Sequence, residues 1–180
     1  MIYTQSFVLP IGKILLASRG DALCGLWFEG QKYYMKGFEW EETAMESLPV
    51  FDAAALWLDA YFAGEKPYRN FPLEPEGSPF YREIWDLLLG IPYGSLVSYG
   101  MLAAEYARRH GLVSMSAQAV GGAVGHNPIS IIIPCHRVVG AKGALTGYAG
   151  GTDKKLWLLH REGIDTGAVR EYISHRANNI

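Results

Sequence analysis

The chain has 180 residues, 49% of them hydrophobic, and a formal net charge of −2. That apolar content suffices for a packed core without disulfides or a structural metal, and the near-neutral charge excludes a strongly basic, chromatin-like binder. No apolar run reaches the roughly 18 residues of a membrane-spanning helix.

Met1-Ile2-Tyr3-Thr4-Gln5 lacks the basic and then apolar pattern of a secretory signal, so Cys24 and Cys135 are expected reduced, in a cytoplasm. Residues 2–9, 13–18 and 22–28 read as three short strands of a meander, separated by the turn signals Pro10-Ile11-Gly12 and Arg19-Gly20-Asp21. Cys24, inside the third strand, reads as a small buried hydrophobe. Residues 30–49 are rich in Glu and aromatics and show no clear period. Val50, Ala54, Leu58 and Tyr61–Phe62 recur at helical spacing before Gly64, predicting a helix over 50–63. Pro67, Pro72, Pro75 and Pro79 exclude helix from the next stretch, which reads either as a connection between two domains or as an extended packed loop.

Ser78 caps and Pro79 opens a helix with Phe80, Ile84, Leu87 and Leu88 on one face, ended by Gly90. After the turn Pro92-Tyr93-Gly94, Ser98 caps a second helix with apolar Met101, Leu102 and Tyr106, broken by Arg108, Arg109, His110 and Gly111. A third runs from about Ser114 or Ser116 to Val124 and stops at Gly125-His126-Asn127-Pro128. The run 129–133 reads as a buried strand ended by Pro134, and residues 140–151 as a glycine-rich loop. Thr152 is the expected cap of a last helix to Glu162, with Leu156, Trp157 and Leu159 inward and Gly163 at its end. The result is an α/β chain: a small N-terminal strand-and-helix domain over 1–75, a second domain over 76–165, and a tail over 166–180.

Residues 1–80 hold 6 Lys/Arg against 11 Asp/Glu, and residues 81–180 hold 10 against 7, so the second part suits an anionic partner. The segment 98–124 has the form of a helix-turn-helix, a pattern it shares with a plain helical hairpin. Its second helix is built from small residues: Ser116, Ala117, Ala119, Gly121, Gly122 and Ala123. Each helical glycine costs about 1 kcal/mol relative to alanine. Two arrangements offset that cost: close packing against another helix, or close approach of backbone to a bulky ligand such as a nucleic-acid strand. Gln118 is the one residue there able to reach base edges, so the helix would read little sequence. Arg108, Arg109 and His110 either meet phosphates or solvate a helix end.

Residues 131–138, Ile-Ile-Ile-Pro-Cys-His-Arg-Val, carry the chemistry. A thiol reacts as thiolate, and a neighbouring base or cation raises the thiolate fraction. A cysteine after an Ile-rich run is most often inert core, but Pro134 ends ladder pairing just before Cys135, and His136 and Arg137 are not core residues. On an extended strand His136 would point away from the thiol, so the pair needs a bend or a bridging water. A carboxylate is also needed to hold the imidazole, and Glu162, Glu105 and Asp153 are all candidates by spacing.

Residues 80–163 resemble the C-terminal domain of the O6-alkylguanine-DNA alkyltransferases (methylated-DNA–protein-cysteine methyltransferases). The matching pieces, in order, include Pro92-Tyr93-Gly94, Val97-Ser98-Tyr99, Ala119-Val120-Gly121-Gly122-Ala123, Asn127-Pro128, Ile133-Pro134-Cys135-His136-Arg137-Val138-Val139, Gly147-Tyr148-Ala149-Gly150-Gly151 and Trp157-Leu158-Leu159-His160-Arg161-Glu162-Gly163. Residues 1–75 resemble the family's N-terminal domain in length and strand pattern. The resemblance implies a winged helix-turn-helix C-terminal domain and a monomeric DNA repair protein acting on double-stranded DNA that contains alkylated guanine. It implies no metal, no cofactor and no membrane partner. The damaged base would be flipped out and its O6-alkyl group moved irreversibly to Cys135, once per molecule. By the same resemblance His136 would take the thiol proton through a water and Glu162 would orient His136. Asn127 would tie the recognition helix to the active-site turn, and Tyr99 would contact the target nucleotide and help protonate the leaving guanine. Backbone groups of Cys135, Val138, Tyr148 and Ala149 would line the guanine pocket. Ser116, Ala117 and Gln118 would lie on DNA; the link between the two helices, 106–115, is longer than the family's, and its Arg108 and Arg109 are candidates to meet phosphates. Two positions depart from the family pattern: Gln118 stands where an intercalating arginine is usual, and Ala149 where serine is frequent. Two other functions fit parts of the chain. A non-catalytic DNA binder would use the helix pair alone, and a cysteine hydrolase would use the thiol and imidazole with repeated turnover.

Overall fold

The computed structural model describes residues 1–38, 43–45 and 47–167. Two compact units emerge: Met1–Gly77 together with Pro128–Ile131, and Ser78–Asn127 together with the chain from Ile132 onward. Most of the expected tail, residues 168–180, lies outside the described residues, as do 39–42 and 46.

The first unit is a sheet in the order β3-β2-β1-β4. β1 (Ile2–Leu9), β2 (Gly12–Arg19) and β3 (Ala22–Phe28) form the expected antiparallel meander. β4 (Thr43–Met45) adds a parallel edge to β1. The segment 30–49 gave no sign of it because three residues are too few to show a period. The helix α1 (Pro49–Phe62) packs on β2 and β3, with Val50, Phe51, Ala54, Leu58 and Tyr61 buried. Of the two readings of the proline-rich stretch, the packed loop describes part of it. Leu23 donates to Pro72 O at 3.0 Å and accepts from Glu74 N at 2.8 Å, clipping the stretch to β3. Arg19 pairs with Glu76 at 2.6 Å in the same region.

The run 129–133 is not a strand. Leu26 donates to Pro128 O and accepts from Ser130 N, making a single bridge, and then Ile131 turns to φ +68°. A β-branched residue rarely takes that conformation. Its apolar composition predicted the burial correctly: residues 129–133 are all buried. It could not predict pairing, because a buried turn and a buried strand share that composition.

The second unit is helical. α2 (Pro79–Leu89) starts at Ser78, whose hydroxyl accepts from Tyr81 N. α3 (Tyr99–His110) starts at Ser98, which accepts from Met101 N, and α4 (Ala117–Gly125) at Ser116, which accepts from Ala119 N. The three serines satisfy amide donors that each helix start would otherwise leave open. Arg108, Arg109 and His110 do not break α3 but form its last turn, where cations suit the helix dipole, and Gly111 ends it at φ +63°. The link between the two helices is therefore 111–116. α4 packs against α2 and α3. β5 (Val97–Ser98) and β6 (Val138–Val139) pair in parallel. α5 (Thr152–Arg161) is preceded by Gly151 at φ +98°, so Thr152 is its first residue and not its cap. Its inward face is Lys155, Leu158 and Leu159, whereas Trp157, expected inside, is exposed.

Gly25 lies on the same face of β3 as Trp27, and a Cβ there would fall within the indole ring. Trp27 is 1% exposed, among Ile2, Leu15, Met35 and Phe38, and the ring has nowhere to go. Gly25→Ala should destabilise the first unit by about 1–3 kcal/mol, read as a lower urea midpoint by tryptophan fluorescence; an unchanged midpoint would contradict this packing.

Candidate active site

Cys135 sits where the sequence needed a bend. Residues Cys135–Arg137 form a single 3-10 turn after Pro134, so Cys135 and His136 are not on opposite faces of a strand. Asn127, two residues past the end of α4, donates from Nδ2 to Ile133 O at 2.8 Å and to Cys135 Sγ at 3.1 Å. One side chain thus joins the end of α4 to the turn and to the sulfur.

Glu162 is the carboxylate that meets the imidazole. Its Oε1 lies 2.6 Å from His136 Nε2 and accepts from Arg137 Nη2 at 3.0 Å. Its Oε2 accepts from Arg137 Nε at 2.8 Å and from the Gly94 amide at 3.0 Å. Burial by itself would raise this carboxyl; hydrogen bonds and charge from His136 and Arg137 outweigh burial and hold it at about 2. The other two candidates are occupied elsewhere: Glu105 binds Arg108 and Arg109, and Asp153 lies 3.9 Å from Lys154. His136 is fully buried, and that burial outweighs Glu162 and pushes its pKa down, so the imidazole is neutral at neutral pH. With Nε2 on Glu162, a proton taken up by the ring goes to Nδ1.

The thiol is not pre-ionised. Burial pushes Cys135 up, and the Asn127 hydrogen bond and the Lys155 charge only reduce the rise. The adjacent Arg137 gives the sulfur little help because its guanidinium is committed to Glu162 and to Ile91 O, at 2.6 Å. Cys135 is 6% exposed. Cys24, by contrast, has no imidazole or amide partner of this kind among the described residues, and burial takes its thiol to about 12.

Tyr99 stands at the start of α3 with its hydroxyl 3.5 Å from Thr146 O. A Cβ on Gly147 would come within 3.2 Å of that hydroxyl, and one on Gly121 within 3.6 Å of the ring. Tyr99 therefore lies between α4 and the loop leading to Tyr148 and Ala149. Burial and the nearby Cys135 keep its phenol protonated, as a donor. Val138 and Tyr148 are buried and Ala149 half-buried. On α4, Ser116, Ala117 and Gln118 are exposed together, and Cβ atoms on Gly122 and Gly125 would meet nothing within 4 Å. Those two glycines are thus not explained by helix packing, whereas Gly121 makes room for Tyr99. Arg108 and Arg109 are exposed but both bind Glu105, at 2.8 Å each. Arg108 also shares the wall of a cavity of about 410 Å³ with Ser114 of the link and Ala117 at the start of α4.

Sequence reasoning missed three participants. Arg137 reads in the sequence as a cation beside the thiol, and only the fold makes it the second holder of Glu162. Gly94 contributes a backbone amide, which no residue type reveals. Lys155 is buried on the inner face of α5; its spacing of three and four from Leu158 and Leu159 was the available signal, overridden by the habit of placing lysine outside. Among the described residues no group of three or more His, Cys, Asp and Glu side chains could hold a metal ion.

Residues 2–75 match the family described as "6-O-methylguanine DNA methyltransferase, ribonuclease-like domain", and residues 79–164 match "6-O-methylguanine DNA methyltransferase, DNA binding domain". The methylated-DNA–protein-cysteine methyltransferase of Haemophilus influenzae is 40% identical over 164 residues, covering 91% of this chain and 87% of its own. That of Methanosarcina acetivorans is 43% identical over 167 residues, covering 90% and 99%. The crystal structure of Mycobacterium tuberculosis OGT in complex with DNA superposes with a TM-score of 0.75 at 39% identity, covering 89% of this chain and 92% of that one.

The folded-state pKa of Glu162 lies below the roughly 4.3 of a free glutamate, so its ionised form adds stability that is complete above that value. The contribution is lost as pH falls toward about 2. Glu162→Gln should cost about 3–5 kcal/mol near neutral pH by leaving Arg137 buried and unpaired. Urea unfolding should show the gap to wild type narrowing as the solution is acidified; a gap independent of pH would refute this account of the clamp.

Proposed function

The chain belongs to the methylated-DNA–protein-cysteine methyltransferase family and repairs DNA by alkyl transfer; from that premise we propose which of its residues do the chemistry. Cys135 is the alkyl acceptor. Its sulfur attacks the carbon bound to guanine O6, the S–C bond forms as the C–O bond breaks, and the electron pair leaves on the base. His136 takes the thiol proton, through a bridging water, and Glu162 stabilises the imidazolium. Tyr99, a protonated phenol beside the pocket loop, helps return a proton to the departing guanine. The thioether product has no chemical return, so each molecule acts once.

The observation that carries this reading is the 2.6 Å contact of His136 Nε2 with a carboxylate that stays ionised at neutral pH, next to a thiol held by Asn127. A protonated thiol is a weak nucleophile and needs a base in the act of transfer. A neutral imidazole backed by an ionised carboxylate supplies it. Double-stranded DNA with an alkylated guanine is the partner, met by Ser116, Ala117 and Gln118 on the exposed start of α4. Gly122 and Gly125 of that helix, half-buried and with open space where a Cβ would stand, permit close backbone approach, and the damaged base turns out toward Val138, Tyr148 and Ala149. We further assign the domain boundaries of 1–75 and 76–165, a monomer, and action in the cytoplasm, where both thiols stay reduced. Among the described residues no helix is long and apolar enough to cross a membrane.

Incubation with duplex DNA containing O6-methylguanine should add one methylene mass to the peptide holding Cys135, saturating at one equivalent, and Cys135→Ala should add none. Repeated turnover would mark a hydrolase instead, and repair unaffected by Cys135→Ala would mark a non-catalytic binder. Because burial lowers the His136 pKa, the base stays competent below the ordinary imidazole value of about 6.5. Single-turnover transfer should therefore hold its rate through pH 6.5 and fall only at lower pH; a fall centred at or above that value would contradict the assignment of His136. Glu105 competes with phosphate for Arg108 and Arg109. Glu105→Gln should tighten duplex binding about two- to five-fold at low salt, with the gain lost at high salt. Unchanged affinity across salt would remove these arginines from the interface.

A further inference from the structure

We propose that Lys155 is the counter-ion of the Cys135 thiolate and the clamp that holds together the two loops framing it. The proposal rests on Cys135 being the alkyl acceptor, and it adds a positioning residue to that reaction. Lys155 is fully buried, at 0% exposure. Its ammonium donates to Val138 O at 2.6 Å and to Thr146 O at 3.0 Å. The first carbonyl follows the thiol turn directly; the second precedes Gly147 and Tyr148 and also faces the Tyr99 hydroxyl. One side chain from α5 thus ties both walls of the pocket.

Its charge is the unusual feature. Arg137, also buried in the second unit, is matched by Glu162. Among the described residues no carboxylate pairs with Lys155. Burial brings its pKa down to about 8, and negative charge on Cys135 opposes that fall. Reciprocally, the Lys155 charge lowers Cys135 and also His136. The other ionisable groups around the thiol are His136, Arg137 and Glu162, tied to one another, and Tyr99 on α3.

In the resting protein, with the thiol protonated, the ammonium has only neutral carbonyl partners. As His136 takes the Cys135 proton, a thiolate appears, and the ammonium that holds the carbonyls on either side of it stabilises that charge across a site of low dielectric. When the S–C bond forms, the sulfur becomes a neutral thioether and that charge interaction disappears. Lys155 gives up no proton and forms no bond; it favours the one charge state that exists only during transfer. A lysine whose role was packing alone would not distinguish those states.

Methyl transfer from O6-methylguanine duplex, measured in single turnover across pH, separates the two roles. Lys155→Met keeps the length of the side chain and removes its charge. It should slow transfer at least about tenfold near neutrality and move the rising limb of the pH profile to higher pH by about one unit, since both the thiol and His136 lose a neighbouring cation. Lys155→Arg should keep the limb close to wild type. A limb unmoved in Lys155→Met, or moved equally in Lys155→Arg, overturns the proposal. Should Lys155→Met fail to fold, the lysine is left intact and its amine is titrated by NMR in Cys135→Asp and in Cys135→Ser. A fixed anion at the sulfur position should hold Lys155 protonated to a pH higher by about one unit or more. Equal titration in the two variants overturns the proposal. A wild-type protein that transfers no methyl group fails the functional reading first, and this inference with it; transfer with an unmoved limb fails this inference alone.

Discussion

A buried carboxylate that accepts four hydrogen bonds organises the second unit. Glu162 sits at the end of α5, His136 and Arg137 come from the thiol turn, and the Gly94 amide comes from the turn after α2. An ion in the interior without partners is strongly destabilising, so the three segments are bound to meet. Once they meet, the His136 ring has one orientation, with Nε2 on the carboxylate. The interaction that fixes the fold there also fixes the ring proposed as proton acceptor. Arg137 keeps the carboxylate ionised, and without that the imidazole would have no anion to stabilise its charged form.

The thiol next to this clamp is held in reserve. Burial raises its pKa and keeps it a poor nucleophile toward casual electrophiles, and 6% exposure limits access further. For a residue proposed to act once, a low resting reactivity has an evident value. Activation, on the proposed mechanism, then depends on arrangement: a neutral base nearby, an amide from Asn127, a protonated phenol from Tyr99, and a cation at Lys155. Most of these groups are brought by different helices. Asn127 follows α4, Tyr99 opens α3, and Lys155 lies on α5, so the packing of the unit and the chemistry of the site are the same problem.

Much of this was legible from residue order. Strand alternation and turn residues gave β1, β2 and β3. Ser78, Ser98 and a choice that included Ser116 marked three helix starts, because a serine hydroxyl can accept the amide that a helix start leaves open. Thr152 carried the same signal and did not act on it, since Gly151 at φ +98° takes the chain into α5 without a side-chain cap. The Ile-rich run failed in a different way. Its composition reports burial, and burial was right, but the positive φ of Ile131 is imposed by surroundings that no local pattern contains. Trp157 outside and Lys155 inside reverse the usual preferences of those side chains, and the reversal follows from the carbonyls of Val138 and Thr146 waiting for a donor.

The sequence by itself determined the reactive octet, the family it resembles, and the residue types its chemistry needs: a thiol, an imidazole and a choice of carboxylates. Only the tertiary structure decided which carboxylate, because Glu162, Glu105 and Asp153 are equivalent until the chain is folded. It alone decided that Arg137 serves Glu162 and not the sulfur, and that Lys155 faces inward. Hydrogen bonding and burial are properties of distance in space, and a local pattern in sequence reports only the distances that a single helix, strand or turn can fix.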